Sequence, residues 1–366
     1  MTLNFRFAII SDLHLALPQT IWHHPNRFHL VEVSIQAFES VLEHLIQLNL
    51  DFVLLPGDLT QHGEPENHIW LQKRLSELPF PVYVIPGNHD IPVLTADEQS
   101  IGFADFPTYY RKFGYDDPNQ LYYTCNLLPG VRLIGLNSNF FNQQGEQIGR
   151  LDRQQLNWLE AVLAANDDEL VLVMVHHNVV EHLPNQSRHP MANRYMLENA
   201  PELLLLLKRY GVKLVFTGHL HIQDVACSEG VYDITTGSLV SYPHPYRVLE
   251  FHQDNCGRSW LQICSHRVES VPDFPQLQQT SRKWMGDRSQ HFLLKLLTLP
   301  PLNLPSAEAE QLAPTLRDFW ADMAAGDALF NYSNFPLEVS RYFEKYGAIA
   351  LDGTPALIDN NTTLLL

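Results

Sequence analysis

The chain has 366 residues, of which 45% are hydrophobic and 18% are charged, and its formal net charge is −17. This composition is typical of a globular protein with a sizeable core, and the length allows one large domain or a domain with an extension. The acidic excess argues against a nucleic acid polymer or an anionic membrane as partner, because both are bound by clustered Lys and Arg. No apolar run reaches the length of about 18 residues that a membrane span needs.

The cysteines and the amino-terminal residues predict the cellular compartment of the protein. The four cysteines lack CxxC spacing, which favours free thiols in a reducing compartment over a disulfide framework. They are Cys125, Cys227, Cys256 and Cys264. The apolar stretch before Asp12 is too short for a secretory signal peptide and runs directly into a polar block. We therefore expect a cytoplasmic protein.

The first 90 residues alternate between predicted strands and helices. Short apolar runs predict buried strands over residues 7–10, 52–55 and 82–85. Apolar residues spaced three and four apart predict a helix over residues 31–45, and a second helix is predicted over residues 66–77. This alternation favours an α/β fold with parallel strands, in which functional sites lie beyond the carboxyl ends of the strands.

The rest of the chain changes character twice. Further strands are predicted over residues 131–136, 171–175 and 212–216, with a helix over residues 152–165. Short antiparallel strands are then predicted near residues 224–228, 232–235, 247–252 and 260–264. Beyond them, helices are predicted over residues 276–297, 307–325 and 338–346, and the tail over residues 360–366 is predicted to be loose unless its three leucines dock. We expect one main domain over residues 1–267 and a helical extension over residues 268–366.

Five short polar blocks follow predicted strands in one order. They are Asp12-Leu13-His14, Gly57-Asp58, Gly87-Asn88-His89-Asp90, His176-His177 and Gly218-His219-Leu220-His221. Any one of them is compatible with a core His or a turn Asp, but together they supply enough ligand atoms for two metal ions about 3.5–4 Å apart. Asp58 stands at a tight Gly turn, where a short carboxylate can bridge two ions. Mixed imidazole and carboxylate ligation suits Mn, Fe or Zn more than Ca.

The order DxH, GD, GNHD, H and GHxH resembles that of the calcineurin-like metallophosphoesterases over about residues 5–265. The resemblance implies a four-layer α/β/β/α sandwich. The last hundred residues match no family pattern, and they are expected to pack on the domain, to form a lid or to make a homodimer contact.

The resemblance also implies a role for each polar block. Metal one is expected to be held by Asp12, His14, Asp58 and His221. Metal two is expected to be held by Asp58, Asn88, His176 and His219. His89 is expected to contact the phosphate or protonate the leaving oxygen, and Asp90 either to orient His89 and raise its pKa or to cap a helix.

Local departures from the patterns of other branches narrow the choice of branch within the family. Gln61 stands where purple acid phosphatases carry a Tyr ligand, and protein Ser/Thr phosphatases have a GNHE block where this chain has Asp90. DNA repair nucleases share the ligand pattern, but the −17 charge argues against them. The stretch over residues 56–66 is similar to class III cyclic-nucleotide phosphodiesterases and bacterial glycerophosphodiesterases, as is Gly237-Ser238 followed by Pro245-Tyr246-Arg247.

The resemblance therefore implies a phosphodiesterase that acts on a small soluble phosphodiester by attack of a metal-bound hydroxide, with a 3′,5′-cyclic nucleotide as the first candidate. A phosphomonoesterase, a broad nucleotide or phospholipid-headgroup phosphatase and a non-catalytic binding scaffold are the alternatives. Substrate choice is expected to depend on four loops, over residues 15–28, 91–119 and 178–194 and around Tyr242 and His244. Their aromatic residues either stack on a base or pack in the core, and His177 faces either the substrate or the fold.

Overall fold

The computed structural model describes residues 2–23, 27–166, 169–349 and 353–366, so His24 of the first candidate loop lies outside the described residues. The strands are β1 Asn4–Ile9, β2 Phe52–Leu55, β3 Val82–Val84, β4 Tyr123–Leu128, β5 Val131–Gly135, β6 Asn139–Phe141, β7 Gln147–Gly149, β8 Leu170–Met174, β9 Leu214–Thr217, β10 Asp224–Ser228, β11 Val231–Thr235, β12 Pro245–Gln253, β13 Ser259–Arg267 and β14 Asn361–Leu365. The α-helices are α1 Ser34–Ile46, α2 Pro65–Leu75, α3 Phe106–Tyr109, α4 Arg153–Ala164, α5 Ala200–Arg209, α6 Leu277–Thr298, α7 Ser306–Leu312, α8 Phe319–Ala324 and α9 Leu337–Glu344.

The strands form two six-stranded sheets, with β6 and β7 as a separate hairpin. The first sheet has the order β14-β13-β12-β1-β2-β3, and the second has the order β10-β11-β9-β8-β5-β4. In the first sheet β1, β2 and β3 are parallel, and in the second β5, β8, β9 and β11 are parallel. The prediction of an α/β fold with parallel strands is therefore confirmed.

The two sheets face each other across the main core, and helices cover their outer faces. The ring of Phe7 in β1 packs edge-on against Phe216 in β9, with ring centres 5.6 Å apart. Side chains alternate across the second sheet, as a strand requires: Leu214 and Phe216 face the first sheet, while Val215 packs with α4 and α5. This is the predicted four-layer α/β/β/α sandwich.

One prediction about the carboxyl-terminal part was wrong, and the alternative left open for the tail is decided. The single helix over residues 307–325 is divided into α7, a 3-10 turn over Ala313–Leu316 and α8. Pro314 lies in that turn, where it lacks the amide hydrogen that a continuous helix would need. The tail is not loose, because β14 pairs antiparallel with β13 and buries Leu364. It thereby covers an edge of the first sheet that would otherwise be open.

The helical extension shares one apolar core with the loops that follow β8 and β9. Leu293, Phe319 and Phe343 of the extension pack in the same cluster as Leu220 and Ile222. Leu220 stands between His219 and His221, so the extension supports the last polar block directly. The boundary at residues 267 and 268 stays a prediction. None of the described helices is long and apolar enough to cross a membrane.

Candidate metal centre

All five polar blocks lie just beyond the carboxyl ends of parallel strands. Asp12, Asp58 and Asn88 follow β1, β2 and β3 of the first sheet, while His176 and His219 follow β8 and β9 of the second. Because the two sheets face each other, their strand ends bring these side chains to one place. The sheet order, and not a single local motif, therefore assembles the cluster.

The first group of ligand atoms comprises Asp12, His14, Asp58 and His221, which lie within 4.8 Å of one another. The Nε2 atoms of His14 and His221 are 3.3 Å apart, and Nε2 of His221 is 3.0 Å from Oδ1 of Asp12. Burial lowers the pKa of His14 well below its ordinary value, which leaves a neutral imidazole with a lone pair. Neutral imidazole is the form that binds a metal ion.

The second group comprises Asp58, His176 and His219. Nδ1 of His176 donates to the carbonyl oxygen of Pro56 at 2.8 Å, so Nε2 is the nitrogen that faces the centre, 3.3 Å from Oδ1 of Asn88. Burial alone would lower the pKa of His176, but the Asp58 carboxylate outweighs it and raises the pKa to about 9. Burial lowers the pKa of His219 well below its ordinary value.

Asp58 belongs to both groups through one oxygen atom. Oδ1 accepts a hydrogen bond from the backbone nitrogen of His89 at 2.8 Å. Oδ2 lies 3.2 Å from Nε2 of His176 and 3.7 Å from Nε2 of His14, and it is buried with no hydrogen bond from any described residue. A buried carboxylate oxygen left in this way is costly unless a cation is bound to it. The donor set therefore fits divalent metal ions.

The backbone at these positions is strained. Asp12, His14, Asp58, His219 and His221 all have positive φ, at 50°, 38°, 51°, 66° and 60° respectively. Non-glycine residues rarely adopt this left-handed region, and such residues concentrate at functional sites. In this conformation each side chain points toward the common centre and not in the direction it would take in a regular strand.

Two glycines allow the polar blocks to approach each other. A Cβ atom on Gly87 would lie 2.2 Å from both the backbone nitrogen and Oδ1 of Asp58. A Cβ atom on Gly218 would lie 2.5 Å from Oδ2 of Asp12. Both distances are far below van der Waals contact. A side chain at either position would therefore clash with a carboxylate, and only glycine fits.

His89 faces the cavity, and Asp90 takes neither of the two roles left open for it, because its carboxylate contacts neither the His89 ring nor the start of a helix. Nδ1 of His89 donates instead to the carbonyl oxygen of Gln61 at 2.8 Å. The buried Asp90 carboxylate accepts from the backbone nitrogens of Thr60 and Gly87, each at 2.8 Å. Adjacent side chains in this turn point apart, so Asp90 ties the loop after β2 to the loop after β3.

Comparison with known proteins identifies the family. A family model described as calcineurin-like phosphoesterase matches residues 5–223. The chain belongs to the calcineurin-like phosphoesterases. It is therefore a metal-dependent phosphoric ester hydrolase, and the predicted resemblance is confirmed.

Relatives within the family carry names for phosphodiesterases. The chain is 31% identical to a probable cyclic nucleotide phosphodiesterase of Synechococcus sp., over 80% of this chain and 96% of that protein. It is 31% identical to a glycerophosphodiester phosphodiesterase of Enterobacter lignolyticus, over 47% of this chain and 56% of that protein. A solved dimetal phosphatase from Danio rerio shares the fold, with a TM-score of 0.51 and 17% identity over 72% of this chain and 96% of that one.

One histidine beside the centre of this calcineurin-like phosphoesterase was missed by the sequence reasoning. His29 lies within 4.8 Å of the ligand atoms of His14 and His221, and its Nδ1 is buried with no hydrogen bond from a described residue. It comes one residue after the first candidate loop and two residues before the 3-10 turn Val31–Val33, which leads into α1. The signal available in the sequence was its position directly after a loop that already contains other histidines.

The cavity above the centre has a volume of about 1270 Å³. His29, His89 and His177 line it near the ligands, and Nδ1 of His177 is 2.7 Å from Oγ of Ser138. Its aromatic wall includes Phe28, Tyr195, Phe292 and Trp320. Two of these, Phe292 and Trp320, belong to the carboxyl-terminal extension.

The aromatic residues of the second candidate loop have a structural role. Phe106 and Tyr110 are fully buried in the main core, and the hydroxyl of Tyr110 is 2.8 Å from Nδ1 of His68. In the other loops, His182 is buried between two aspartates and His244 is buried with Nδ1 donating to the carbonyl oxygen of Leu239. The four loop residues Phe106, Tyr110, His182 and His244 are not among the residues that line the cavity.

Proposed function

We propose that this protein hydrolyses a small phosphodiester with two bound divalent metal ions, and that a 3′,5′-cyclic nucleotide is the first substrate to test. The single observation that carries the proposal is Oδ2 of Asp58, which lies between two groups of buried ligand atoms. The name of the Synechococcus relative supports the substrate class. A small molecule also suits the acidic chain better than a nucleic acid polymer or a membrane.

The proposed ligands follow the two groups of atoms. Metal one is assigned to Asp12, His14, Asp58 and His221. Metal two is assigned to Asp58, Asn88, His176 and His219. Mixed nitrogen and oxygen ligation favours Mn, Fe or Zn, and the ions would activate water at neutral pH and neutralise charge that develops on the phosphate. A cytoplasmic location and a homodimer stay predictions.

His89 is the proposed proton donor to the leaving oxygen. Its Nδ1 hydrogen is committed to the carbonyl oxygen of Gln61, so the ring orientation is fixed and Nε2 is the nitrogen left for the substrate. The ring of His89 lies 4.7 Å from that of His14, which places it beside the metal-one group. Asp90 is a positioning residue, because its carboxylate holds the two loops that carry Asp58 and His89.

The variant His89→Ala tests the proton-donor role. We expect kcat for an alkyl phosphodiester to fall by about 10²–10⁴-fold, because its leaving oxygen needs a proton. The loss for bis(p-nitrophenyl) phosphate should be much smaller, because nitrophenolate leaves without one. Steady-state kinetics on both esters, with metal content measured in each preparation, provide the comparison. Equal losses on the two esters would remove His89 from this role.

A substrate panel tests the function itself. The full-length protein is loaded separately with Mn, Fe or Zn and given 3′,5′-cyclic nucleotides, glycerophosphodiesters, bis(p-nitrophenyl) phosphate and p-nitrophenyl phosphate. We expect faster turnover of diesters than of the monoester, and highest kcat/KM for one of the two natural classes. Preference for the monoester would make the protein a phosphomonoesterase. Metal-loaded protein that turns over none of these compounds would contradict the proposal.

A further inference from the structure

His29 is not among the assigned ligands, but its ligand atom lies within 4.8 Å of those of His14 and His221. Its ring centre lies 4.2 Å from that of His14, 4.7 Å from that of His221 and 6.0 Å from that of His89. His29 and His89 therefore contact the His14 ring from two directions, and both line the cavity. A phosphate group held at the metal centre would meet an imidazole from each of them.

The loop that carries His29 is held at three points. The backbone nitrogen of Leu30 donates to the carbonyl oxygen of Val240 at 2.8 Å. The Arg27 guanidinium donates to the carbonyl oxygen of Trp22 at 2.6 Å. The carbonyl oxygen of Arg27 in turn accepts from Nε1 of Trp284 at 3.2 Å.

The last of these contacts comes from the carboxyl-terminal extension. Trp284 lies in α6, and the Arg288 guanidinium covers its ring. The indole therefore has little freedom to swing away from Arg27. Because His29 is two residues beyond Arg27, α6 restrains the backbone from which the His29 ring enters the cavity.

We propose that His29 binds a phosphate oxygen of the substrate on the metal-one side, and that α6 holds it in place through Trp284. The proposal rests on the function proposed above and adds a specific residue to it. Four protein ligands are already assigned to metal one, so the proposal gives the His29 imidazole to the phosphate, and ligation of the metal by His29 is a distinct outcome of the test below. Hydrogen bonds to a charged phosphate are stronger than those between neutral groups. The extension thus contributes to the active site.

The variants His29→Ala and His29→Gln test the residue, and His23→Ala is the matched control because His23 is exposed in the same loop. We expect His29→Ala to lower kcat/KM for bis(p-nitrophenyl) phosphate by about 10- to 100-fold, the size of a lost charge-assisted hydrogen bond. His29→Gln keeps a side-chain donor and should recover part of the loss. Metal content per chain and Tm should match the wild type in all three variants.

Any of three other results would overturn the assignment of His29 to the phosphate. A fall in metal content in both His29 variants would make His29 a ligand of metal one. Unchanged kcat/KM in His29→Ala would leave the residue with packing alone. A loss of equal size in His23→Ala would assign the effect to the loop as a whole and not to the His29 ring.

Trp284→Phe tests the contribution of α6, because it removes the indole hydrogen and keeps an aromatic ring. The matched control is Trp260→Phe, whose ring stacks on His252 at a distance from the cavity. We expect kcat/KM to fall by about 3- to 10-fold in Trp284→Phe, with no further loss when it is combined with His29→Ala, because coupled residues are not additive. Losses that multiply in the double variant would show that Trp284 does not act through His29.

Binding of inorganic phosphate separates this proposal from the function on which it rests. Calorimetric titration of Mn-loaded protein with phosphate needs no turnover, and we expect the affinity of His29→Ala to be about 10-fold weaker than that of the wild type. If the wild type hydrolyses no diester, the proposed function fails, yet weaker phosphate binding by the variant still supports His29. Equal affinities would overturn the His29 assignment, whether or not diesters are hydrolysed.

Discussion

Two buried clusters of histidine and aspartate among the described residues differ in what their polar atoms contact. At the candidate metal centre, Nε2 atoms of His14 and His221 face each other at 3.3 Å on strained backbone. In the second cluster, His182 lies between two carboxylates, with Nδ1 2.5 Å from Asp224 and Nε2 3.3 Å from Asp233. In the first cluster, imidazole nitrogens and carboxylate oxygens from several residues face a common centre. In the second cluster, one imidazole lies between two carboxylates.

The charges of the second cluster balance within the protein. Burial alone would lower the pKa of His182, but the carboxylates of Asp233 and Asp224 outweigh it and raise the pKa to about 10. The remaining carboxylate oxygen of Asp233 accepts from Oγ1 of Thr217 at 2.6 Å. The buried Arg247 adds a second cation, and it donates to the carbonyl oxygen of Thr235 at 2.9 Å. Both ring nitrogens of His182 thus face carboxylates, whereas Nε2 atoms of two histidines face each other in the first cluster, and this difference separates an ion-pair network from a ligand set.

The variant Asp58→Ala should have the largest effect, because it removes the oxygen that both ligand groups share. We expect loss of bound metal at both positions and a fall in kcat of about 10³-fold or more, since the ions supply several kcal/mol of transition-state stabilisation. Metal analysis and kinetics on the purified variant measure both effects.

Tm provides the control for this variant. With chelator present, the wild type and Asp58→Ala should melt at similar temperatures, while added Mn should raise Tm only in the wild type, because an ion that binds the folded state stabilises it. Metal-dependent turnover retained by Asp58→Ala would remove the distinction between the two clusters.

The positions of the proposed ligands could be predicted from the sequence because each polar block directly follows a short apolar run. A strand end fixes where such a block lies, and parallel order brings the ends together. His29 could not be found in this way, because its approach depends on contacts of its loop with Val240 and Trp284, which are distant in the sequence. Both roles considered for Asp90 followed from its neighbours in the sequence, whereas its carboxylate accepts hydrogen bonds from the backbone nitrogens of Thr60 and Gly87.

The same limits apply to the fold. The buried strands and amphipathic helices could be predicted because their apolar spacing is local. The edge strand β14 could not, because its pairing with β13 joins segments about 100 residues apart and its sequence, Asn-Thr-Thr-Leu-Leu, does not alternate between polar and apolar residues. The break at Pro314 could have been predicted, since a proline inside a helical pattern removes one of its hydrogen bonds.

Replacing a residue of the second cluster should affect stability and not metal binding. In His182→Leu the buried carboxylate of Asp233 loses its cation, and breaking a buried ion pair in this way costs about 3–5 kcal/mol. Urea denaturation measures the loss. Metal content and kcat per folded molecule should match the wild type, and a variant that lost metal but kept its stability would show that the two clusters had been assigned the wrong way round.

The last expected effect is the pH dependence of the stability that His182 provides. Because its folded pKa of about 10 lies above the ordinary value of 6.5, the folded protein keeps a proton that the unfolded chain releases. The stabilisation is therefore fully present below about pH 6.5 and is lost as the pH rises toward 10.

Other buried groups titrate over part of this range, so the quantity to measure is the difference in unfolding free energy between the wild type and His182→Leu. Burial and Asp224 raise the pKa of Asp359 to about 8, for example, but this contribution is common to both proteins and largely cancels in the difference. We expect the difference from urea titrations to be largest at pH 6 and to narrow steadily up to pH 10. A difference that stays constant with pH would mean that His182 is neutral in the folded protein, and the second cluster would then not be an ion pair.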